Sequence, residues 1–244
     1  MTGTEATNSF RLAYVPGVTP GKWARTWQER VPDVPLELIA VAADAVDDVL
    51  RSGGADVGLV RLPIDRSGLH AIPLYTETTV VVVPKDHEVA AVDELSVEDL
   101  ADYVVLHPLD DRLEWDKRPG QSANERPETM SDAVELVAAG VGLLAVPQSL
   151  ARLHHRKDLT FRTLTDAPQS GVALSWLEEQ TSDLVEEFIG IVRGRTVNSS
   201  RGRTPTPPAA QAKSSKPSKP SKQQAKKKPA PAKSASRRSQ GRRS

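Results

Sequence analysis

Between Phe10 and Arg61 the sequence alternates between a strand-like and a helix-like hydrophobic period, and this alternation restricts the fold more than any other feature. Phe10–Val15 (F-R-L-A-Y-V) reads as a strand and Gly21–Arg30 as a helix with Trp23 and Trp27 on one face. Leu36–Val41 is a second strand. Asp44–Arg51 is a short helix with Ala45, Val46, Val49 and Leu50 on its apolar stripe, and Gly53-Gly54 supplies its stop. Asp56–Arg61 (D-V-G-L-V-R) is a third strand. A β-α-β-α-β opening of this kind predicts a largely parallel sheet covered on both faces.

The alternation continues downstream. The extended run Leu69–Pro84 contains T-T-V-V-V-V-P, β-branched and apolar enough to read as a buried strand. Leu95–Asp102 reads as a helix with Ser96 and Asp99 at capping-box spacing, and Tyr103–Leu106 as a strand. Asp110–Arg126 is polar and unpatterned, a long surface loop. Thr129 and Asp132 again have capping-box spacing, ahead of a helix over Ser131–Ala139. Val141–Val146 is a strand, and Pro147 suits the first turn of a helix running to His154. Strands at Leu159–Leu164 and Gly171–Trp176 precede a last helix, Ser182–Arg193, with Leu184, Val185, Phe188, Ile189 and Val192 inward.

Charge divides the chain where the periodicity ends. The 32 basic and 32 acidic residues cancel over 244 positions, yet Ser199–Ser244 holds 14 Lys or Arg and no Asp or Glu. The preceding stretch is left with 18 basic against 32 acidic residues, near −14. Halves of opposite sign attract each other and differ in their partners. Residues 198–244 are rich in Lys, Arg, Pro, Ser and Ala and cannot bury enough surface to offset ordering, so disorder is expected there and in residues 1–8. The absence of Cys excludes disulfides, thiolate nucleophiles and Cys-based zinc sites. No run of eighteen apolar residues occurs and Met1–Ser9 is polar, so a cytoplasmic protein is expected.

Three stretches carry a family resemblance. They are Leu50-Arg-Ser-Gly-Gly-Ala-Asp56-Val-Gly-Leu59, Pro73-Leu-Tyr-Thr-Glu-Thr-Thr-Val-Val-Val-Val-Pro84-Lys-Asp-His87, and Val137-Ala-Ala-Gly140-Val-Gly142-Leu-Leu-Ala-Val-Pro147. In order and spacing, across residues 9–197, they resemble the effector-binding domain of LysR-type transcriptional regulators. The resemblance implies an α/β type 2 periplasmic-binding fold: two Rossmann-like lobes, two crossovers and a ligand cleft. Lobe I would take residues 9–78 and 168–197, and lobe II residues 79–167. It also implies a homodimer pairing the Gly21–Arg30 helix with the Ser131–Ala139 helix. Such regulators begin with a winged helix-turn-helix, and here the chain starts almost at the sensor's first strand, so readout of DNA by a recognition helix is not expected. The Lys-Pro-Ser repeats resemble the tails of histone H1 and of some bacterial nucleoid proteins. Nonspecific nucleic-acid binding, with nucleoid association, would then fall to Arg201, Arg203, Lys213, Lys216, Lys219, Lys222, Lys226, Lys227, Lys228, Lys233, Arg237, Arg238, Arg242 and Arg243.

In an open α/β sheet, ligands bind beyond the carboxyl ends of strands, beside helix N-termini. That rule selects Thr19, Arg61, Leu62, Thr76, Thr78, Thr129, Met130 and Ser131. Thr19 and Ser131 either grip an anion from each lobe or simply cap helices. Arg61 either pairs with an anionic ligand or with one of the chain's own carboxylates. Thr76 and Thr78 belong to the crossover. Gly17-Val-Thr-Pro-Gly21-Lys22 is one residue short of a phosphate loop, with Trp23 where a hydroxyl is needed. His154-His155 closes a helix, and Asp47-Asp48, Asp110-Asp111 and Glu178-Glu179 read as solvated surface. No G-x-S-x-G or clustered acid–base set occurs, so an enzyme is not expected, nor any cofactor or metal. The expected function is sensing of a small anionic effector by a regulator. The alternative is a ligand-free dimerisation platform.

Overall fold

The structure, a computed structural model, describes residues 9–195. Among these residues the strands form two sheets, one of five strands and one of six. In the first, β1 (Phe10–Tyr14) lies between β2 (Leu36–Ala40) and β3 (Val57–Arg61), all parallel, with α1 (Gly21–Arg30) and α2 (Val46–Arg51) as connections. The sheet continues through β11 (Ser170–Leu177), antiparallel to β3, and then β4 (Leu69–Glu77), antiparallel to β11. The expected largely parallel sheet is thus mixed. Its parallel half is the β-α-β-α-β opening, and its antiparallel half is built by the two segments through which the chain leaves and re-enters.

The second sheet runs β6 (Glu94–Ser96), β10 (Leu159–Thr165), β5 (Thr79–Pro84), β9 (Leu143–Pro147), β7 (Val104–Leu106), β8 (Gln121–Ser122). Its helices are α3 (Met130–Ala138) and α4 (Gln148–Leu153), and α5 (Asp183–Val192) returns to the first sheet. We call the two sheets with their helices lobe I and lobe II. The run Leu69–Pro84, expected as one strand, is two: β4 and β5 belong to different sheets and break at Thr78. The valines of β5 show why that segment is apolar on both faces. Val80 and Val82 pack in one core cluster with α3 and α4, while Val81 and Val83 pack in another with Leu95 and Leu100.

Lobe I closes around aromatics. Phe10 stacks on Trp27 with ring centroids 4.5 Å apart, and Phe188 of α5 tilts against both. The Trp27 indole N–H donates to the Val34 carbonyl at 2.9 Å, so the one polar atom of a fully buried ring is satisfied.

A helix over Leu95–Asp102 does not form. Glu94–Ser96 is strand β6, and Glu98–Leu100 is a single 3-10 turn. The capping chemistry read from Ser96 and Asp99 is present, with Ser96 N–H donating to Asp99 Oδ2 at 2.8 Å, but it closes a turn rather than starting a helix. Pairing of Glu94–Ser96 with Thr163–Thr165 of β10 overrides the local preference. The polar loop after β7 likewise contributes the short strand β8.

Candidate functional site

Strand β3 delivers Arg61 to the place where the two lobes meet. All five β3 residues are buried, and Arg61 is 4% exposed. A guanidinium at such a depth requires partners, and it has them on several segments. Its Nη1 donates to Glu77 Oε2 at 3.1 Å and to Ser170 Oγ at 2.7 Å. Its Nη2 donates to Ser149 Oγ at 2.8 Å and to the Pro16 carbonyl at 3.3 Å. The Ser149 hydroxyl in turn donates to Glu77 Oε2 at 2.6 Å. Ser149 sits in the first turn of α4 and therefore in lobe II, so this cluster ties the lobes together. Of the two readings of Arg61, the ion pair with a carboxylate of the chain itself is the one observed.

Gly17 makes the arrangement possible. Its φ is +83°, and a Cβ there would meet Ser149 Oγ at 2.6 Å and Arg61 Nη2 at 2.8 Å. A side chain would thus be strained by the backbone and blocked by the cluster.

Beside this cluster opens a cavity of about 350 Å³ with walls from both lobes. Lobe I supplies Pro16, Ala42, Ala43, Asp44 and Arg61. Lobe II supplies residues 110–113, the start of α3 at Thr129, Met130 and Ser131, and Pro147 with Leu150, Leu153 and His154 along α4. The surface is mostly apolar. Four of the residues expected from the strand-end rule, Arg61, Thr129, Met130 and Ser131, are brought together here.

The other four lie outside the lining. Thr19 is exposed, and α1 begins after Pro20 without any side-chain cap, so Thr19 neither caps a helix nor faces the cavity. Leu62 is partly buried against the lobe I core and contacts the Gly171 position. Thr76 and Thr78 are exposed, because the crossover points its alternate residues inward. Those are Glu77, bound to Arg61, and Thr79, whose hydroxyl donates to the Pro168 carbonyl.

The start of α3 is a capping box, as its spacing predicts. Thr129 Oγ1 accepts from Asp132 N–H at 3.1 Å, and Thr129 N–H donates to Asp132 Oδ2 at 3.1 Å. Ser131 is not the cap. The next amide, Met130 N–H, donates to Asp110 Oδ2 at 3.0 Å. Asp110 and Asp111 are therefore not simple solvated surface. Asp111 is partly buried in the cavity wall, and burial pushes its carboxyl above the usual range while the Leu113 N–H at 3.0 Å pulls the other way.

The lining from β2, β7 and β9, namely Ala42–Asp44, Asp110–Leu113 and Pro147, was not among the residues selected from sequence. The same strand-end rule applied evenly to those three strands points to it. What hid it was the polar, unpatterned look of the 110–126 loop. The tail residues proposed for nucleic acid lie outside the described residues. Among the described residues, no group of three or more His, Asp or Glu is placed to hold a metal ion.

Residues 4–196 match the family described as LysR substrate binding domain. A "probable hydrogen peroxide-inducible genes activator" of Mycobacterium avium is 28% identical over 205 residues, covering 78% of this chain and 66% of that protein. The chain spans between half and two thirds of the length of the curated relatives it matches first. Among solved structures, the BenM effector binding domain with its effector benzoate superposes with a TM-score of 0.63 at 20% identity, covering 82% of this chain and 96% of that one. The oxidized form of OxyR gives a TM-score of 0.62 at 18% identity, covering 77% and 93%.

Proposed function

Because the chain belongs to the LysR substrate-binding-domain family, we propose that it senses a small-molecule effector in the interlobe cavity and serves in transcription regulation. The observation that carries this reading is the cavity itself, walled by residues of both lobes, which are joined through the Arg61 cluster. A molecule filling it contacts both lobes at once. It therefore binds one lobe arrangement better than others, and that difference in affinity is what shifts a conformational equilibrium.

A thiol switch is not the mode of sensing within this chain, which contains no cysteine. The protein acts as a homodimer, in which one self-complementary surface serves both subunits. The basic tail adds a sequence-independent contact to nucleic acid, supported by its 14 cationic residues. The anionic effector anticipated from Thr19, Arg61 and Ser131 draws little support from the lining, since Thr19 is outside it and Arg61 already has an internal counter-ion.

The test is a melting-temperature screen of the full chain against metabolite fractions from its native host, with a cavity-filling variant, Ala43→Trp, as control. Effector binding raises the melting temperature of the parent and not of the variant. A fraction that stabilises both equally, or no stabilising fraction at all, favours the dimerisation platform instead. Light scattering at micromolar concentration gives a dimeric mass.

A further inference from the structure

The charges around the cavity specify more than its existence. Three carboxylates line it, those of Asp44, Asp110 and Asp111. Two guanidinium groups line it as well, but Arg61 is engaged by Glu77, Ser149, Ser170 and the Pro16 carbonyl. Arg112 is left as the lining guanidinium that has no carboxylate partner among the described residues, against three acids. A helix start commonly receives an anion, but here the Thr129, Met130 and Asp132 amides are occupied from within, which leaves the Ser131 N–H. Asp110 takes the Met130 N–H and Asp132 takes the Thr129 N–H. A carboxylate that reached the Ser131 N–H would lie beside Asp110 on the neighbouring amide, and like charges repel.

Most of the remaining wall is hydrocarbon, chiefly Ala42, Ala43, Leu113, Leu150 and Leu153, with Thr129, Ser131 and His154 as its other polar groups. A concave, apolar wall with a few convergent polar groups suits a ligand with an apolar body and one polar head. A low-dielectric wall with an excess of one sign concentrates its field within the cleft and selects the opposite sign.

We infer that this cavity takes an apolar effector with a neutral or, by preference, a positively charged head such as an amine, and discriminates against carboxylates and phosphates. The inference rests on the cavity being the effector site. It reverses the sign of the ligand anticipated from the sequence, because the sequence shows Arg61 but neither its partner Glu77 nor the approach of Asp110 to α3.

The experiment uses three probes with one apolar body: 4-phenylbutylamine, 4-phenylbutan-1-ol and 4-phenylbutyrate. Each is titrated into the full chain while backbone amide resonances are followed. The amine binds most tightly, the alcohol next, and the carboxylate weaker than the amine by at least about tenfold, with shifts centred on Ala43, Leu113, Ser131 and Leu153. Asp44→Asn with Asp110→Asn lowers the amine's affinity by about tenfold and leaves the alcohol's within about twofold. Asp44→Asn alone, at an exposed position, moves the amine in the same direction and covers the case in which Asp110 is needed for folding. Tightest binding by the carboxylate, with shifts at those same residues, overturns the charge preference and leaves the site in place. Shifts confined to other residues, the cationic tail included, or no binding by any probe at millimolar concentration, overturn the site itself and the inference with it.

Discussion

Arg61 Nη2 and Ser149 Oγ are joined by a 2.8 Å hydrogen bond that spans 88 positions of sequence and both lobes. The Ser149 hydroxyl turns its proton to Glu77, so arginine, serine and glutamate share one closed circuit. The circuit changes what a substitution at Arg61 does. Were Arg61 the ligand contact, its removal would weaken binding and leave the fold intact. In the structure the same change strips the counter-ion from a carboxylate whose side chain is 11% exposed.

Arg61→Ala therefore costs stability, by about 3–5 kcal/mol for a broken buried pair. At roughly 2–4 °C per kcal/mol for a domain of this size, the melting temperature falls by about 10 °C. Arg61→Ala combined with Glu77→Ala is less destabilising than Arg61→Ala alone, since no orphan charge remains. Thermal unfolding of the parent and the variants checks both statements.

Gly17→Ala combines a left-handed backbone with a collision, and Gly53→Ala separates the two. Gly53 has φ +71° but nothing within 4 Å of its Cβ position. Its substitution costs only the conformational penalty, about 1–2 kcal/mol. Gly17→Ala costs more than this and displaces Arg61 or Ser149. Urea unfolding of both variants gives the comparison, and equal losses would show that the cluster yields freely.

His107 introduces a pH dependence. It is buried, with Nε2 3.3 Å from the Pro119 carbonyl, and desolvation holds its pKa below the usual 6.5. A base with a lowered folded-state pKa binds fewer protons folded than unfolded. Its contribution is complete above pH 6.5 and is lost as pH falls through the lowered value. The urea midpoint thus drops between pH 7.5 and 5, and His107→Gln flattens that drop. Asp111 acts in the opposite sense and lower in pH: its raised carboxyl supports the fold below its ordinary value of 3.8, and that support is lost as pH rises through the folded value.

Truncation after Asn198 removes the 14 cationic residues and leaves a chain near −14. The nucleic-acid binding proposed for the tail is expected to go with them. The full chain is expected to bind more weakly than the isolated tail peptide, because a tethered acidic body of opposite charge competes for the tail at an effective concentration of about millimolar. Its log affinity falls with log salt by about 0.9 for each phosphate neutralised. A salt titration of the three species decides it, and strong binding by the truncated form would sink the idea.

What the sequence by itself determined is the local order of the chain. Helix Gly21–Arg30 has the bounds its periodicity predicts, the Thr129–Asp132 capping box forms as spaced, and the three resembling stretches lead to the fold observed. These features depend on neighbours within a turn or a strand, where side-chain period and backbone hydrogen bonding are written directly in residue order. Tertiary structure decided the rest. It turned Leu95–Asp102 from a helix into a strand and a turn by offering β10 as a partner, and it divided Leu69–Pro84 between two sheets. It also decided the candidate site, because the partners there come from distant segments. Glu77 lies 16 positions from Arg61, Ser149 lies 88 and Ser170 lies 109, while Asp110 lies 20 positions from the helix start it caps. Electrostatics act through space, so whether Arg61 serves a ligand or Glu77 depends on which groups the fold brings within about 3 Å.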